Sequence, residues 1–356
     1  MKLQLSPGLL LGAFLIFVGC SYRGPQENPE AKGSSYLSDS LFEELETSID
    51  NKLKFDCDLF NENPPGDTPK IFAYGKVSTG KENGAITFSP NGKELWFARV
   101  YPPQIFYMEN KDGAWTAPTL APFSGKYKDL YPSLSPDGKK LFFASNRPVK
   151  MDAKSEENNL IQIWECRKMQ SGWTEPRNLG AIINFGMYQI CPSISAKGTL
   201  YYNLVTNTKD SSYLDIYESK YIYNTFAKPH SLGISINSAS LDYSPFIAKD
   251  ESFIIFASRR HGYGSGDLFI SYKKSDGEWT EAINMGPNIN TRFNEDFPSI
   301  SPDGKYLFFN SNRTANCTSE DKPKMFSYIY WVKADIIEKL KPNYLKKIQN
   351  EKGKRL

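Results

Sequence analysis

One column of polar residues stands out for the chemistry it could do. Asp129, Gln189, Asp242 and Glu295 each lie three residues before a proline, and Glu82 or Asn83 takes that place in an earlier copy. Side by side around an opening, such acids would form a ligand ring for a cation or a cationic group. Two carboxylates about 5–10 Å apart in an open pocket would also suit glycoside hydrolysis, one as acid and the other as base or nucleophile. The same repeats carry a second signal. Arg147, Arg260 and Arg313 follow in the three copies that have an acid, whereas the copy with Gln189 has Thr206-Asn207 there. Acid and arginine therefore occur together, which predicts the ion pairs Asp129–Arg147, Asp242–Arg260 and Glu295–Arg313 across a hairpin and favours a structural role over a ligand ring.

Other candidate chemistry is sparse. Gly262, Gly264 and Gly266 form a GxGxG string, but a phosphate-cradling loop leads from a strand into a helix. Here the string leads into an apolar run, Asp267–Tyr272, and reads as a flexible loop on a rim. The chain has two histidines, His230 and His261, too few for a histidine-ligated metal or a histidine-based triad. Cys57, Cys166, Cys191 and Cys317 contain no CxxC spacing, so no zinc is expected. In an oxidising compartment they allow up to two disulfides, with Cys166 and Cys191 falling in adjacent repeats; buried free thiols are the alternative. Nothing assembles a nucleophile, base and orienter, and neither cofactor nor metal is called for.

The elements that must position these residues are repeats. PSLSPDGKKLFFASNR opens at Pro132, PSISAKGTLYYN at Pro192, SPFIAKDESFIIFASRR at Ser244 and PSISPDGKYLFFNSNR at Pro298, with ITFSPNGKELWFAR earlier from Ile86. In Ser-Pro-Asp-Gly, Pro presets φ, Asp bonds its own backbone and Gly takes the positive φ. The run after the turn, such as Leu141–Ala144, is apolar on both faces, as a strand covered on both sides must be. Third strands are expected at Ile161–Cys166, Leu214–Ser219, Asp267–Tyr272 and Ile329–Ala334. A fourth carries a recurring Trp-Thr (Trp115, Trp173, Trp279), whose simplest meaning is packing. One four-stranded unit per repeat makes an all-β single β-propeller of antiparallel blades: five blades, or six if two are merged in this count. The last repeat lacks a fourth strand, and Thr68–Gly75 resembles Thr280–Gly286, so an N-terminal strand is expected to close the ring and remove its open edges.

These hairpins resemble the TolB-type, WD-repeat-like propeller repeat over about residues 67–335. PSLSPDGKKLFFASNR carries the resemblance best, with SRRHGYGSGDLFISYKKSDGEWTEAINMGPNIN, which is similar to a stretch of many propeller lipoproteins of Bacteroidetes type. The third copy departs, with Ala196-Lys197-Gly198 at the turn, and the fourth has Lys249-Asp250-Glu251. The resemblance implies the fold. It implies no activity, because such propellers include scaffolds, assembly partners and domains attached to enzymes. Six blades and an additional domain are usual in TolB itself, so its partners do not carry over.

The N-terminus bears on location. Lys2 and the apolar run Leu9–Val18 make a signal-peptide pattern, too short for a membrane span. Phe17-Val18-Gly19-Cys20 resembles the lipobox of bacterial lipoproteins, which implies cleavage after residue 19, lipidation of Cys20 and anchoring by several acyl chains. Ser21 points to the outer membrane, periplasmic or surface facing. Residues 20–66 then hold the lipidated cysteine, a polar Pro/Gly/Ser linker and a short helix capped at Ser40. Residues 67–335 are the propeller and 336–356 a basic helical tail. With 43 basic and 40 acidic residues, net +3, nothing points to nucleic acid. The expectation is a membrane-anchored, extracytoplasmic scaffold that binds an envelope protein or glycan in the cell envelope. The alternative is a glycan-active hydrolase or lyase with carboxylates at the channel mouth.

Overall fold

A computed structural model describes residues 62–79, 81–149, 160–205, 214–313 and 326–346. The lipobox, the Ser40 helix, Cys57, Cys317 and residues 347–356 of the basic tail lie outside them. The described chain is a five-bladed propeller of antiparallel blades. The first blade runs Asn83–Phe88, Glu94–Arg99, Gln104–Lys111 and Thr119–Leu120. The second runs Asp129–Leu134, Lys140–Ser145, Gln162–Met169 and Arg177–Asn178. The third runs Tyr188–Ile194, Leu200–Val205, Asp215–Ser219 and His230–Ser231. The fourth runs Asp242–Ile247, Phe253–Ser258, Asp267–Tyr272 and Ile283–Asn284, and the fifth has Glu295–Ile300, Tyr306–Ser311 and Tyr328–Lys333.

The fifth blade takes its outer strand from the other end of the propeller. Lys70–Ile71 pairs antiparallel with Tyr328–Lys333, Ile71 opposite Tyr330, as Ile283 stands opposite Ile270 in the fourth blade. Phe72 follows in the core between the fifth and first blades, with Phe97, Phe308 and Trp331. Second strands are buried along nearly their whole length, which accounts for their two-sided apolar composition.

The turns behave as their residues dictate. Ser135 Oγ donates to Asp137 Oδ1 at 2.5 Å, the Lys139 amide donates to the same oxygen, and Gly138 has φ 70°. In the fourth blade Glu251 occupies the glycine's place at φ 63°. Its carboxylate accepts from Ser195 Oγ at 2.8 Å and pairs with Lys197 and Lys273, contacts that hold it in a backbone region glycine would favour and join the third blade to the fourth.

The Trp-Thr pairs open the fourth strands, as expected, but those strands are broken in two. Ala114–Trp115 and Gly172–Trp173 pair with the ends of the third strands, and Thr119–Leu120 and Arg177–Asn178 continue along the same edge. The threonine closes the hairpin between third and fourth strands. Thr116, Thr174 and Thr280 each donate their amide to a third-strand carbonyl and accept that residue's amide on Oγ1, within 3.0 Å each.

The clamp on the third strands is a repeat that the proline-turn alignment does not include. Asn184, Asn237 and Asn290 stand in LGAIIN, LGISIN and MGPNIN, each five residues before the ring position. Each side chain copies a strand edge. Asn290 Oδ1 accepts the Leu268 amide at 2.8 Å and Nδ2 donates to the Leu268 carbonyl at 2.9 Å; Asn184 and Asn237 do the same to Ile163 and Ile216. Ser78 bonds both groups of Ile329, and Ser124 bonds the Ile105 amide, at the equivalent places. Replacing Asn290 by Ala leaves a buried amide and carbonyl unmet, so chemical denaturation should show a loss of about 2–4 kcal/mol. A loss below about 0.5 kcal/mol would mean that the clamp is dispensable.

The GxGxG segment is packed rather than loose. Asp267 accepts the Tyr263 and Gly264 amides at 2.6 and 3.0 Å, and a Cβ on Gly264 would collide with the carbonyl oxygens of Thr291 and Phe293. The tail begins as a helix, Asp335–Leu340, docked by the Tyr272 hydroxyl, which donates to the Ile337 carbonyl at 2.5 Å. Among the described residues no helix is long and apolar enough to cross a membrane. Cys166 and Cys191 are both buried free thiols, so they do not bond to each other.

Candidate functional site in the central channel

The ring residues come together as the hairpin register requires. Asp129, Asp242 and Glu295 stand opposite Ser145, Ser258 and Ser311, the ends of the second strands. Two residues later the arginine turns back. Arg147 Nη2 lies 2.6 Å from Asp129 Oδ1, Arg260 Nη2 2.6 Å from Asp242 Oδ1, and Arg313 Nη2 3.3 Å from Glu295 Oε1. Each Nε also donates to the intervening serine at 2.8–3.0 Å, and each Nη2 to a carbonyl of the loop before the ring residue. All three acids have no exposed surface. Burial pushes the Asp129 and Glu295 carboxyls up while Arg147 and Arg313 pull them down. Gln189 is equally buried and its side chain makes no hydrogen bond. Asp129, Asp242 and Glu295 are thus held blade by blade in buried polar clamps, and none of the three is presented to an opening as a ligand ring would require.

The channel itself is lined by the following residues of the inner strands. Every inner strand shifts register just after the ring position. In four of them the shift carries a non-glycine residue at positive φ immediately before proline: Tyr131 (56°), Cys191 (53°), Ser244 (52°) and Phe297 (48°). Such a backbone is costly for bulky residues and persists only where its surroundings hold it. The bulges bring these side chains to the channel. The Tyr131 and Phe297 rings stack at 5.0 Å, and Cys191 Sγ lies 3.8 Å from Ser244 Oγ.

From this level to the proline turns the channel is a cavity of about 440 Å³. Its wall is mixed, with Pro132, Ile194 and Phe246 beside Thr87, Ser133 and Ser193. Two of those hydroxyls hold the next blade: the Leu134 amide donates to Thr87 Oγ1 at 3.2 Å and the Ile247 amide to Ser193 Oγ at 3.0 Å. The carboxylates at its margin, Asp250 and Asp303, are engaged by serines of their own turns. Burial pushes the Cys191 thiol well above its ordinary range, which disfavours the thiolate a nucleophile needs.

A second group of acids was not recognised in the sequence as a cluster. Asp296 directly follows the ring position of the fifth blade, and Glu82 precedes Asn83 in the first. Burial pushes the Asp296 carboxyl up to about 8, reinforced by the negative charges of Glu82 and Glu295 and opposed by Asn294 and Arg259. Burial alone takes Glu82 to about 7. The only sequence signal was that the residue after the ring position is Leu, Ile or Tyr in the second to fourth blades, so an aspartate there breaks the pattern. Both groups bind protons more tightly folded than unfolded. Their stabilising contribution is complete below about pH 4 and is lost as pH rises through about 7–8. Unfolding free energy should therefore fall between pH 5 and 8, by an amount on the order of 6 kcal/mol for the two groups together, and Asp296→Asn should flatten that slope. An unchanged slope in the variant would remove Asp296 as its source.

No protein-family model and no curated protein matches the chain. Among solved structures it is similar to a TolB from Agrobacterium tumefaciens, with 17% identity over 72% of this chain and 78% of that one and a TM-score of 0.46. It is also similar to an endo-arabinase from Bacteroides thetaiotaomicron, with 12% identity over 76% and 95% of the two chains and a TM-score of 0.47. An alpha-L-arabinofuranosidase from Lactobacillus brevis shares 12% identity over 70% and 90%, with a TM-score of 0.46.

Proposed function

We propose that this propeller is a binding module of the cell envelope, held at the outer membrane through lipidated Cys20, and that its open channel cavity receives part of a protein or glycan partner. One observation carries the choice of scaffold over enzyme. The recurrent acids are buried against their own arginines, and the open cavity is walled by prolines, serines and apolar side chains whose marginal carboxylates are tied into turns. A hydrolytic pair needs free carboxylates in the pocket that holds the sugar. The glycan-active alternative would have to draw its general acid from Glu82 or Asp296, which burial favours in the protonated form but which are not among the residues lining that cavity.

The test is a pull-down from detergent-solubilised membranes with the full-length tagged protein, beside Ser133→Trp. Ser133 lines the cavity and is half-buried, so the indole fills it. The binding reading expects a stoichiometric partner with the wild type that Ser133→Trp loses while keeping its melting temperature. Release of sugar fragments, abolished by Asp296→Asn and retained by Ser133→Trp, would transfer the function to the enzymatic alternative.

A further inference from the structure

The seam where the last blade meets the first holds more oxygen than its hydrogen bonds use. Asp296 stands directly opposite Asn310 in the antiparallel ladder, so their side chains are neighbours on one face of the sheet. Asn310 Nδ2 crosses the seam to donate to the Asn83 carbonyl. Asn83 Nδ2 donates back, to the Ser327 carbonyl at 3.0 Å, and Glu82 is the next residue along the chain. The side-chain oxygens of Asn83 and Asn310 are left over. Both residues are buried, at 1% and 0% exposure, and neither Oδ1 has a hydrogen-bond partner.

The third blade provides an internal control. Asn203 stands opposite Ile190, the residue after the ring position, as Asn310 stands opposite Asp296. Asn203 Nδ2 donates to the Asp242 carbonyl of the next blade at 3.0 Å, and its Oδ1 accepts the Ser244 amide at 2.8 Å. That acceptance depends on the left-handed residue Ser244. At the equivalent place in the first blade Ala85 does not take that conformation. Asn310 thus keeps the donor half of the clamp and loses the acceptor half, beside the one inner strand that has aspartate after its ring position.

We propose that this seam is a cation site, in which the carboxylates of Glu82 and Asp296 and the side-chain oxygens of Asn83 and Asn310 hold a Ca²⁺ ion that latches the fifth blade to the first. The donors are all hard oxygens, two carboxyls that would give up their protons to the ion and two neutral amides, the mixture Ca²⁺ takes; Mg²⁺ demands a tighter octahedron and keeps its waters. Among the described residues no three or more His, Cys, Asp or Glu are arranged for a metal, so the amide oxygens are required to complete the set. Glu295, also near, is neutralised by Arg313. Arg259 is the nearby cation that competes for Asp296, and its effect there is weaker than that of Glu82.

The experiment uses the full-length protein in detergent, stripped with chelator. Ca²⁺ is titrated in by calorimetry, and melting is followed with and without saturating Ca²⁺, with Mg²⁺ as the competing ion. The expected result is one-to-one binding, a melting temperature several degrees higher with Ca²⁺, and at least about tenfold weaker binding in Asp296→Asn and in Asn310→Leu. Asp296→Asn keeps a side-chain oxygen toward Asn294, and circular dichroism confirms its fold. No binding heat and no melting shift in the wild type at millimolar Ca²⁺ would overturn the site, as would undiminished Ca²⁺ binding in the folded Asp296→Asn protein.

Discussion

Arg147→Met should lower the unfolding free energy by about 3–5 kcal/mol, the cost of removing one partner from a buried ion pair. Asp129 has no exposed surface and would lose the guanidinium 2.6 Å away, while the Phe123 carbonyl loses the Nη2 donor and Ser145 Oγ keeps only the amide of residue 147. The guanidinium also lies 4.9 Å from the Phe143 ring centroid, a contact the thioether replaces only in part. The charge term is isolated by the second variant. Asp129→Asn combined with Arg147→Met removes the uncompensated acid, and the pair should be more stable than the two single losses added together, by about 0.5–3 kcal/mol. Denaturant melts of the four proteins decide it. A loss under about 1 kcal/mol for Arg147→Met, or strict additivity, would free Asp129 from its structural role and return it to consideration as a ligand. The third blade already lives without the charge: Gln189 is uncharged, and the arginine is missing with the acid.

Phe72→Ala should cost a further 3–5 kcal/mol, the range for deleting a buried aromatic ring, and lower the melting temperature by about 10 °C. The ring is fully buried and meets Phe308 edge-on at 4.9 Å and Trp331 at 5.5 Å, with Ile86 and Phe97 of the first blade in the same core. It therefore anchors the strand that closes the propeller to both blades at the join, and the Phe72 amide adds a hydrogen bond to the Ile329 carbonyl at 2.8 Å. Weakening this closure frees the edge of Tyr328–Lys333, and an unpaired edge recruits other chains. The variant should accordingly show concentration-dependent association by light scattering below its melting temperature. A monomeric variant with an unchanged melting temperature would mean that the ring stays shut without Phe72. The effect should exceed that of deleting a comparable ring within one blade, because closure couples the two chain ends.

Much of this was legible because propeller repeats write their local physics directly into sequence. The Ser-Pro-Asp-Gly turns, the two-sided apolar second strands and the displaced outer strand at Lys70–Ile71 follow from turn chemistry, burial on both faces and the need to cover an edge. The acid–arginine pairs were readable for a related reason: both partners sit on one hairpin, and antiparallel register brings residues 129 and 147 to the same end. The Asn184, Asn237 and Asn290 clamps were equally periodic and went unread because they lie in connections, outside the aligned turns. Tertiary structure alone decided what happens between blades. Tyr131 and Phe297 meet at 5.0 Å although they are far apart in the chain and belong to blades that flank the first. Cys166 and Cys191 stay apart as buried thiols although their repeats adjoin. Asn310 reaches Asn83, and the charges of Glu82 and Asp296 act on each other, only because closing the ring brings the first inner strand against the last. A repeat prescribes its own hairpins, since their contacts are short-range; the channel and the seam depend on how many blades close the circle and where each bulge re-aims a side chain, and those are properties of the whole ring.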